Sequence, residues 1–192
     1  MKKSEQTRQF IIEKSAAIIN KKGISGTSIT DLMEATNLAK GGIYGNFDSK
    51  EEISIEAFNY LAGKISEKLD SLVTGGTARA KLFALLKYYA DFCEPGKEGG
   101  CALLNFGTEA DDTNPGLRQR VAKAVKRSQL RIQKVVEEGV RSGEFTNDID
   151  ARIFALKMFV MIEGAHFTSR VTNSKEPMNI IHDLLQAEIE SM

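Results

Sequence analysis

The chain has 192 residues, 42% hydrophobic and 27% charged, the composition of a soluble globular protein of one domain or two small ones sharing a core, and not that of a disordered chain. Lys+Arg and Asp+Glu number 26 each, so the molecule as a whole does not advertise a polyanionic partner. Residues 1–50 nevertheless hold eight Lys/Arg against five Asp/Glu, a modestly basic quarter compatible with nucleic-acid binding.

The apolar periodicity predicts an all-α fold of about nine helices. The first runs over about 6–22 and closes at Gly23. The second covers about 28–36, where Thr27 or Ser28 can cap it and Ser28 with Asp31 makes a capping box that uses Asp in place of Glu. "ATN" (35–37) is a short turn, and Asn37 tolerates the left-handed conformation such turns need. A short third helix lies in "LAKGGIYGNF" (38–47), with Leu38, Ile43 and Phe47 facing a small core. The fourth covers 49–72, capped by Ser49 with Glu52, and its stripe is Ile53, Ala57, Phe58, Leu61, Ile65, Leu69 and Leu72. After Gly75 and Gly76 a fifth covers 79–93. Beyond the loop "EPGKEGG" come helices near 101–111, 116–141, 149–171 and 177–190. Pro95, Pro115 and Pro177 all fall at breaks in the periodicity, as a residue without an N–H requires.

The two cysteines, Cys93 and Cys101, make no disulfide framework. "MKKSEQTRQF" lacks the apolar core of a signal peptide. The longest strongly apolar run, 153–162, is too short to span a bilayer and contains Lys157. A cytoplasmic protein without a membrane partner is expected.

Three glycines in 38–47 are the oddest local feature, because each costs about 1 kcal/mol relative to alanine inside a helix. Either the segment is not helical, or something approaches its backbone closely. Phosphate-loop patterns are missing: there is no G-x-x-x-x-G-K-[ST], no G-x-G-x-x-G and no preceding strand. Two short helices joined by a three- or four-residue turn make a helix-turn-helix, whose second helix enters the DNA major groove; by periodicity alone any helical hairpin would serve.

The residues themselves say more. Gly23 followed by "TSITDLMEATNLAKGGIYGNFDSKEEI" (27–53), and above all Lys40-Gly41-x-x-Tyr44-x-x-Phe47-x-Ser49-Lys50-Glu51, resembles the TetR family of bacterial transcriptional regulators. The resemblance covers about the first 55 residues; the rest is similar in helix pattern and length. It implies a helix-turn-helix DNA-binding domain over 1–48 and a helical ligand-binding and dimerisation domain over 49–192. It also implies DNA contacts at Thr27 and Ser28, at Lys40 in the major groove, and at Tyr44, Asn46 and Lys50. Gly41 and Gly42 would let backbone N–H groups reach phosphates at the helix start. Three departures stand out. Ala39 occupies a place where the family commonly has a capping serine or threonine, and Gly42 and Gly45 replace side chains that often read bases. Lys40 and DNA shape are therefore expected to carry more of the specificity.

The last two helices are expected to form a homodimer, through Phe154, Met158, Met161, Ile162 and Ala165 on one and Ile180, Ile181, Leu184, Leu185 and Ile189 on the other, giving a four-helix bundle; the alternative is that these residues are buried within the chain itself. Two recognition helices would then read a pseudo-palindromic operator of double-stranded DNA. An unknown small-molecule inducer is expected in the C-terminal domain, with Phe92, Asn105, Phe106, Glu163 and His166 as candidate contacts, each of which also reads as structural. Cys101, at a helix start that lowers thiol pKa, reads either as a redox or electrophile sensor or as a small buried apolar residue. No metal-ligand spacing and no nucleophile–base pair is legible, so neither an enzyme nor a cofactor is expected. The reading is a ligand-responsive DNA-binding regulator, most simply a repressor. The alternative is a helical small-molecule-binding or adaptor protein that no longer binds DNA.

Overall fold

A computed structural model describes residues 3–92 and 99–192, the side chains of Lys3 and Phe92 apart. Pro95 and Cys93 lie outside the described residues. Those described form nine helices: α1 (Lys3–Lys22), α2 (Ile29–Thr36), α3 (Lys40–Tyr44), α4 (Lys50–Leu72), α5 (Ala78–Phe92), α6 (Ala102–Ala110), α7 (Pro115–Ser142), α8 (Ala151–Val171) and α9 (Glu176–Ser191). The all-α expectation holds, and the described residues contain no strand. Pro115 is the first residue of α7 and Pro177 the second of α9, where a missing N–H costs nothing.

By packing, the chain divides into two compact units, Met1–Lys64 with Cys101–Ala122, and Ile65–Gly100 with Lys123–Met192. In the first unit Ile11, Ala16, Ile19, Leu32, Ile43, Phe47, Ile53, Ala57 and Phe58 are buried. Phe106 of α6 joins them, its ring 5.5 Å from that of Phe58. Arg8 of α1 binds the Asn46 carbonyl, donates to Glu52 Oε1 at 2.6 Å, and lies 4.1 Å over the Phe47 ring. One guanidinium thus ties α1 to the end of α3 and the start of α4.

In the second unit the core includes Leu82, Leu85, Leu86, Ile132, Val136, Phe154, Met158, Ile162 and Leu185. Ala165 and Met178 form a further buried pair against Ala90 and Ile181. The face of α8 expected to meet a second subunit is therefore corrected: Phe154, Met158, Ile162 and Ala165 are buried within the chain itself. What α8 exposes is Ile153, Leu156, Val160, Phe167 and Val171. Gly164, also exposed, has open space where a Cβ would stand. On α9, Leu185 and Ile189 are likewise internal, while Ile180 and Leu184 are exposed.

Candidate functional site

The turn between α1 and α2 begins with Gly23, whose φ of +81° is a left-handed value favouring glycine. Its N–H closes α1 onto the Ile19 carbonyl at 2.8 Å. Thr27 is only 1% exposed, and its hydroxyl donates to the Gly23 carbonyl at 2.6 Å. Ser28 is the exposed member of that pair and caps α2. Its Oγ accepts from the Asp31 N–H, while the Asp31 carboxylate accepts the Ser28 N–H at 2.7 Å. Asp31 also holds Lys22 in an ion pair. The hydrogen bond from Lys22, with those from Ser28, keeps its carboxyl well below the usual range. Asn37 ends α2 at φ 54°, ψ 35°, the left-handed turn expected of it.

The α3 helix has only five residues, too few to persist alone, so tertiary packing holds it. Ile43 and Phe47 are buried, and Leu38 is half-buried. Ala39 occupies the cap position without a side-chain hydrogen bond. Outward stand Lys40, Gly41, Gly42, Tyr44 and Gly45, all exposed, with Tyr44 at 39% and the Lys40 ammonium 5.9 Å from its ring. A Cβ on Gly41 would meet nothing within 4 Å, so inside the chain that face has clear space. The Gly42 N–H donates to the Ala39 carbonyl at 2.8 Å. The first N–H groups of α3, at Lys40 and Gly41, precede any intrahelical acceptor. Asn46 donates to the Gly42 carbonyl at 2.8 Å.

Lys50, at the start of α4, gives its ammonium to the carbonyls of Ile24 (2.8 Å) and Thr27 (2.9 Å). Ser49 Oγ accepts from the Glu52 N–H at 3.1 Å. The Glu52 carboxylate closes the box on the Asp48 N–H, one residue earlier than the usual arrangement. Arg8 first and then Asp48 hold Glu52 below its usual pKa.

Sequence reasoning missed the brace on the other side of this turn. Glu109 of α6 accepts the N–H of Ile24, and that of Ser25 at 3.3 Å. A Cβ at Gly23 would stand 2.6 Å from the same carboxylate. Nothing in the local pattern marks Glu109, because its partners lie 84 and 85 residues away. Asn105, expected to touch a ligand, donates to Asn20 of α1 at 2.9 and 3.1 Å.

Among the other candidate ligand contacts, Phe106 lies in the first unit's core, while Glu163 and His166 belong to α8 in the second. His166 is 3% exposed; burial, and then the positive charge of Arg170 one turn on, lower its pKa from 6.5 to about 4. Phe92 closes α5, and its side chain lies outside the described residues. Cys101 is the N-cap residue of α6 and is buried. Among the described residues no three or more His, Cys, Asp or Glu side chains cluster as a metal site would need, and no helix is long and apolar enough to cross a membrane.

Two family models match the chain: "Bacterial regulatory proteins, tetR family" over residues 11–57, and "Tetracyclin repressor-like, C-terminal domain" over 78–185. The structure of a TetR-family transcriptional regulator from Cytophaga hutchinsonii superposes with a TM-score of 0.91 at 35% identity, covering 100% of this chain and 97% of that one. A TetR regulator from Chloroflexus aurantiacus superposes at 0.92 with 34% identity, covering 100% and 98%. The HTH-type transcriptional repressor DhaR of a Mycobacterium species is 25% identical over 176 residues, 90% of this chain and 86% of its own.

Proposed function

Because the chain belongs to the TetR family of bacterial transcriptional regulators, we propose that it represses its target genes as a homodimer on a pseudo-palindromic operator and leaves it when a small molecule binds. The functional division would be residues 1–48 for DNA and 49–192 for ligand and dimer.

The observation that carries the DNA reading is the two-faced α3. Ile43 inside and Phe47 just beyond the helix anchor it, while Lys40, the glycines and Tyr44 are turned outward without apolar cover. Bare glycine at 41 lets a phosphate approach the first N–H groups of the helix. Tyr44 offers a hydroxyl to a phosphate, Lys40 a cation to a phosphate or a guanine edge, and Ser28 and Asn46 flank them. Thr27 and Lys50 serve the same surface by shaping and bracing the turn that presents it. Few side chains remain on α3 to read bases, so sequence preference would draw on DNA shape as well as on Lys40.

Dimerisation would use the exposed apolar residues of α8 and α9. Phe92, Asn105, Phe106, Glu163 and His166 are each tested singly as inducer contacts, by the effect of substitution on release. A thiol response at Cys101 is tested separately: release by quinones or oxidants that Cys101→Ala leaves unchanged removes it.

The deciding experiment is fluorescence anisotropy on the intergenic DNA beside the protein's own gene, titrated with salt against a scrambled duplex. Wild type should bind the native fragment tightly, with log K falling on log salt by about 0.9 per phosphate contact. Binding that is weak, indifferent to sequence and unmoved by Lys40→Ala or Tyr44→Ala, together with a genome-wide selection that recovers no bound fragment, would favour the adaptor reading.

A further inference from the structure

A second feature lies wholly in the Ile65–Gly100, Lys123–Met192 unit and is lined by none of the residues assigned above. An open groove of about 530 Å³ is lined by Asp70 of α4, by Val73 just beyond its end, and by Lys123, Lys126, Arg127, Leu130, Arg131, Lys134, Val135 and Glu138 of α7. That size is within the range of small-molecule sites.

Two chemistries meet there. The floor is apolar: Leu130, 41% exposed, lines it with Val73 and the buried Val135. The rim is cationic, five Lys/Arg against two carboxylates, and both carboxylates are already engaged. Asp70 accepts Arg131 Nε at 2.8 Å and Nη2 at 2.7 Å, and Arg127 at 3.1 Å. Desolvation pushes the Asp70 pKa upward, but these two guanidiniums outweigh it and hold the carboxyl ionised below its usual value. Glu138 is held by Lys81 at 2.6 and 2.8 Å.

Three lysines, Lys123, Lys126 and Lys134, then have no acidic partner among the described residues. Arg131 is a fixed wall of the site, 7% exposed, with Nε and Nη2 bound to Asp70 and Ser66. Its Nη1 makes no hydrogen bond to a described residue. A guanidinium held in this way loses little freedom on gaining a further acceptor.

We propose that this groove binds a small amphiphilic anion, a carboxylate, sulfonate or phosphate monoester on a short apolar body. The body would cover Leu130 and Val73, and the head would lie among Lys123, Lys126, Lys134 and Arg131. A simple polyanion would use the rim and leave the leucine wet, whereas a neutral hydrocarbon would leave the lysines unanswered. Only a molecule with both parts satisfies both. The site is independent of the operator reading, since none of its residues belongs to the DNA surface.

The test uses full-length protein with methyl-labelled Leu and Val, titrated with decanoate below its micelle concentration, then with decanol and with decyltrimethylammonium. Decanoate should shift the methyls of Leu130, Val73 and Val135 saturably, and the two others should be at least about tenfold weaker, the worth of one charged hydrogen bond. Lys126→Ala/Lys134→Ala and, separately, Leu130→Asp should each weaken decanoate about tenfold or more. All these positions but Val73 and Val135 are on the surface, so the variants should fold, which an unchanged Tm checks. Equal binding of decanol, shifts confined to methyls elsewhere, or variants that bind decanoate normally would each overturn the proposal. So would a short DNA duplex or an acidic peptide that moves the same methyls when decanoate does not.

Discussion

Tyr44 is the side chain on which the operator surface is most exposed to test. Its hydroxyl projects from a helix that packing elsewhere holds, so Tyr44→Phe should leave Tm unchanged. Operator affinity should fall by about 1–2 kcal/mol, read by anisotropy. Lys40→Ala should lower affinity and reduce the salt slope by about one unit per subunit; an unchanged slope would place Lys40 off the phosphates. Gly139, inside α7, shows the opposite use of glycine. A Cβ there would overlap the Phe145 ring and stand 2.9 Å from Ala78 Cβ. Overpacking at so tight a site costs about 2 kcal/mol, so Gly139→Ala should lower Tm while DNA binding at room temperature persists. His166 supplies the pH dependence. The fold keeps its ring neutral down to about pH 4, whereas the unfolded chain takes up the proton near 6.5. Stability should therefore be unaffected by His166 above pH 6.5, and should fall between 6.5 and 4 by about 3 kcal/mol at most. His166→Gln should flatten that stretch of a urea-melt pH profile, and an unaltered profile would refute the assignment.

At the scale of elements, the turn between α1 and α2, which the proposed function places toward DNA, is held by Lys50 and Glu109 of the first unit. Lys50 takes the Ile24 and Thr27 carbonyls and Glu109 the Ile24 and Ser25 N–H groups, so much of the 23–27 backbone is paired without belonging to any helix. Removing Glu109 leaves partly buried N–H groups without their acceptor, a loss of about 1–3 kcal/mol. Glu109→Ala should speed hydrogen exchange at Ile24 and Ser25 and weaken operator binding without touching the DNA. Slow exchange at those amides in the variant would show that the brace is idle. Glu144 does the same elsewhere, accepting the first N–H groups of α5 from Ala78 at 2.7 Å and Arg79 at 3.0 Å. In both cases a carboxylate distant in sequence accepts backbone N–H groups beside a local side-chain cap, Ser28 on α2 and Thr77 on α5, whose Oγ1 accepts the Ala80 N–H at 3.2 Å. The Ser28–Asp31 box was legible in the sequence because its partners are three residues apart. Glu109, Glu144 and Arg8 were not, because loop closure over tens of residues leaves no local signature.

For the whole molecule, the exposed apolar line of Ile153, Leu156, Val160, Phe167 and Val171 beside Ile180 and Leu184 carries the dimer proposal. Val160→Glu with Leu184→Lys should give a folded monomer by sedimentation. Its operator binding should drop steeply, since in the proposed dimer each monomer would hold one half-site. A dimer that survives both charges would send the interface to another surface. The helix pattern, the helix-turn-helix and the family resemblance could all be read from the chain, because capping, turn chemistry and the Lys40–Lys50 motif depend on neighbours within a few residues. The inner face of α8 could not. The stretch from Ile153 to Ile162 is apolar nearly all round, so its own pattern favours no direction, and burial of Phe154 rather than Ile153 was decided by what packs against it. The groove around Leu130 was decided the same way: its cations are plain in the sequence of α7, but only the approach of Val73 and Asp70 turns a basic helix face into a partly neutralised groove.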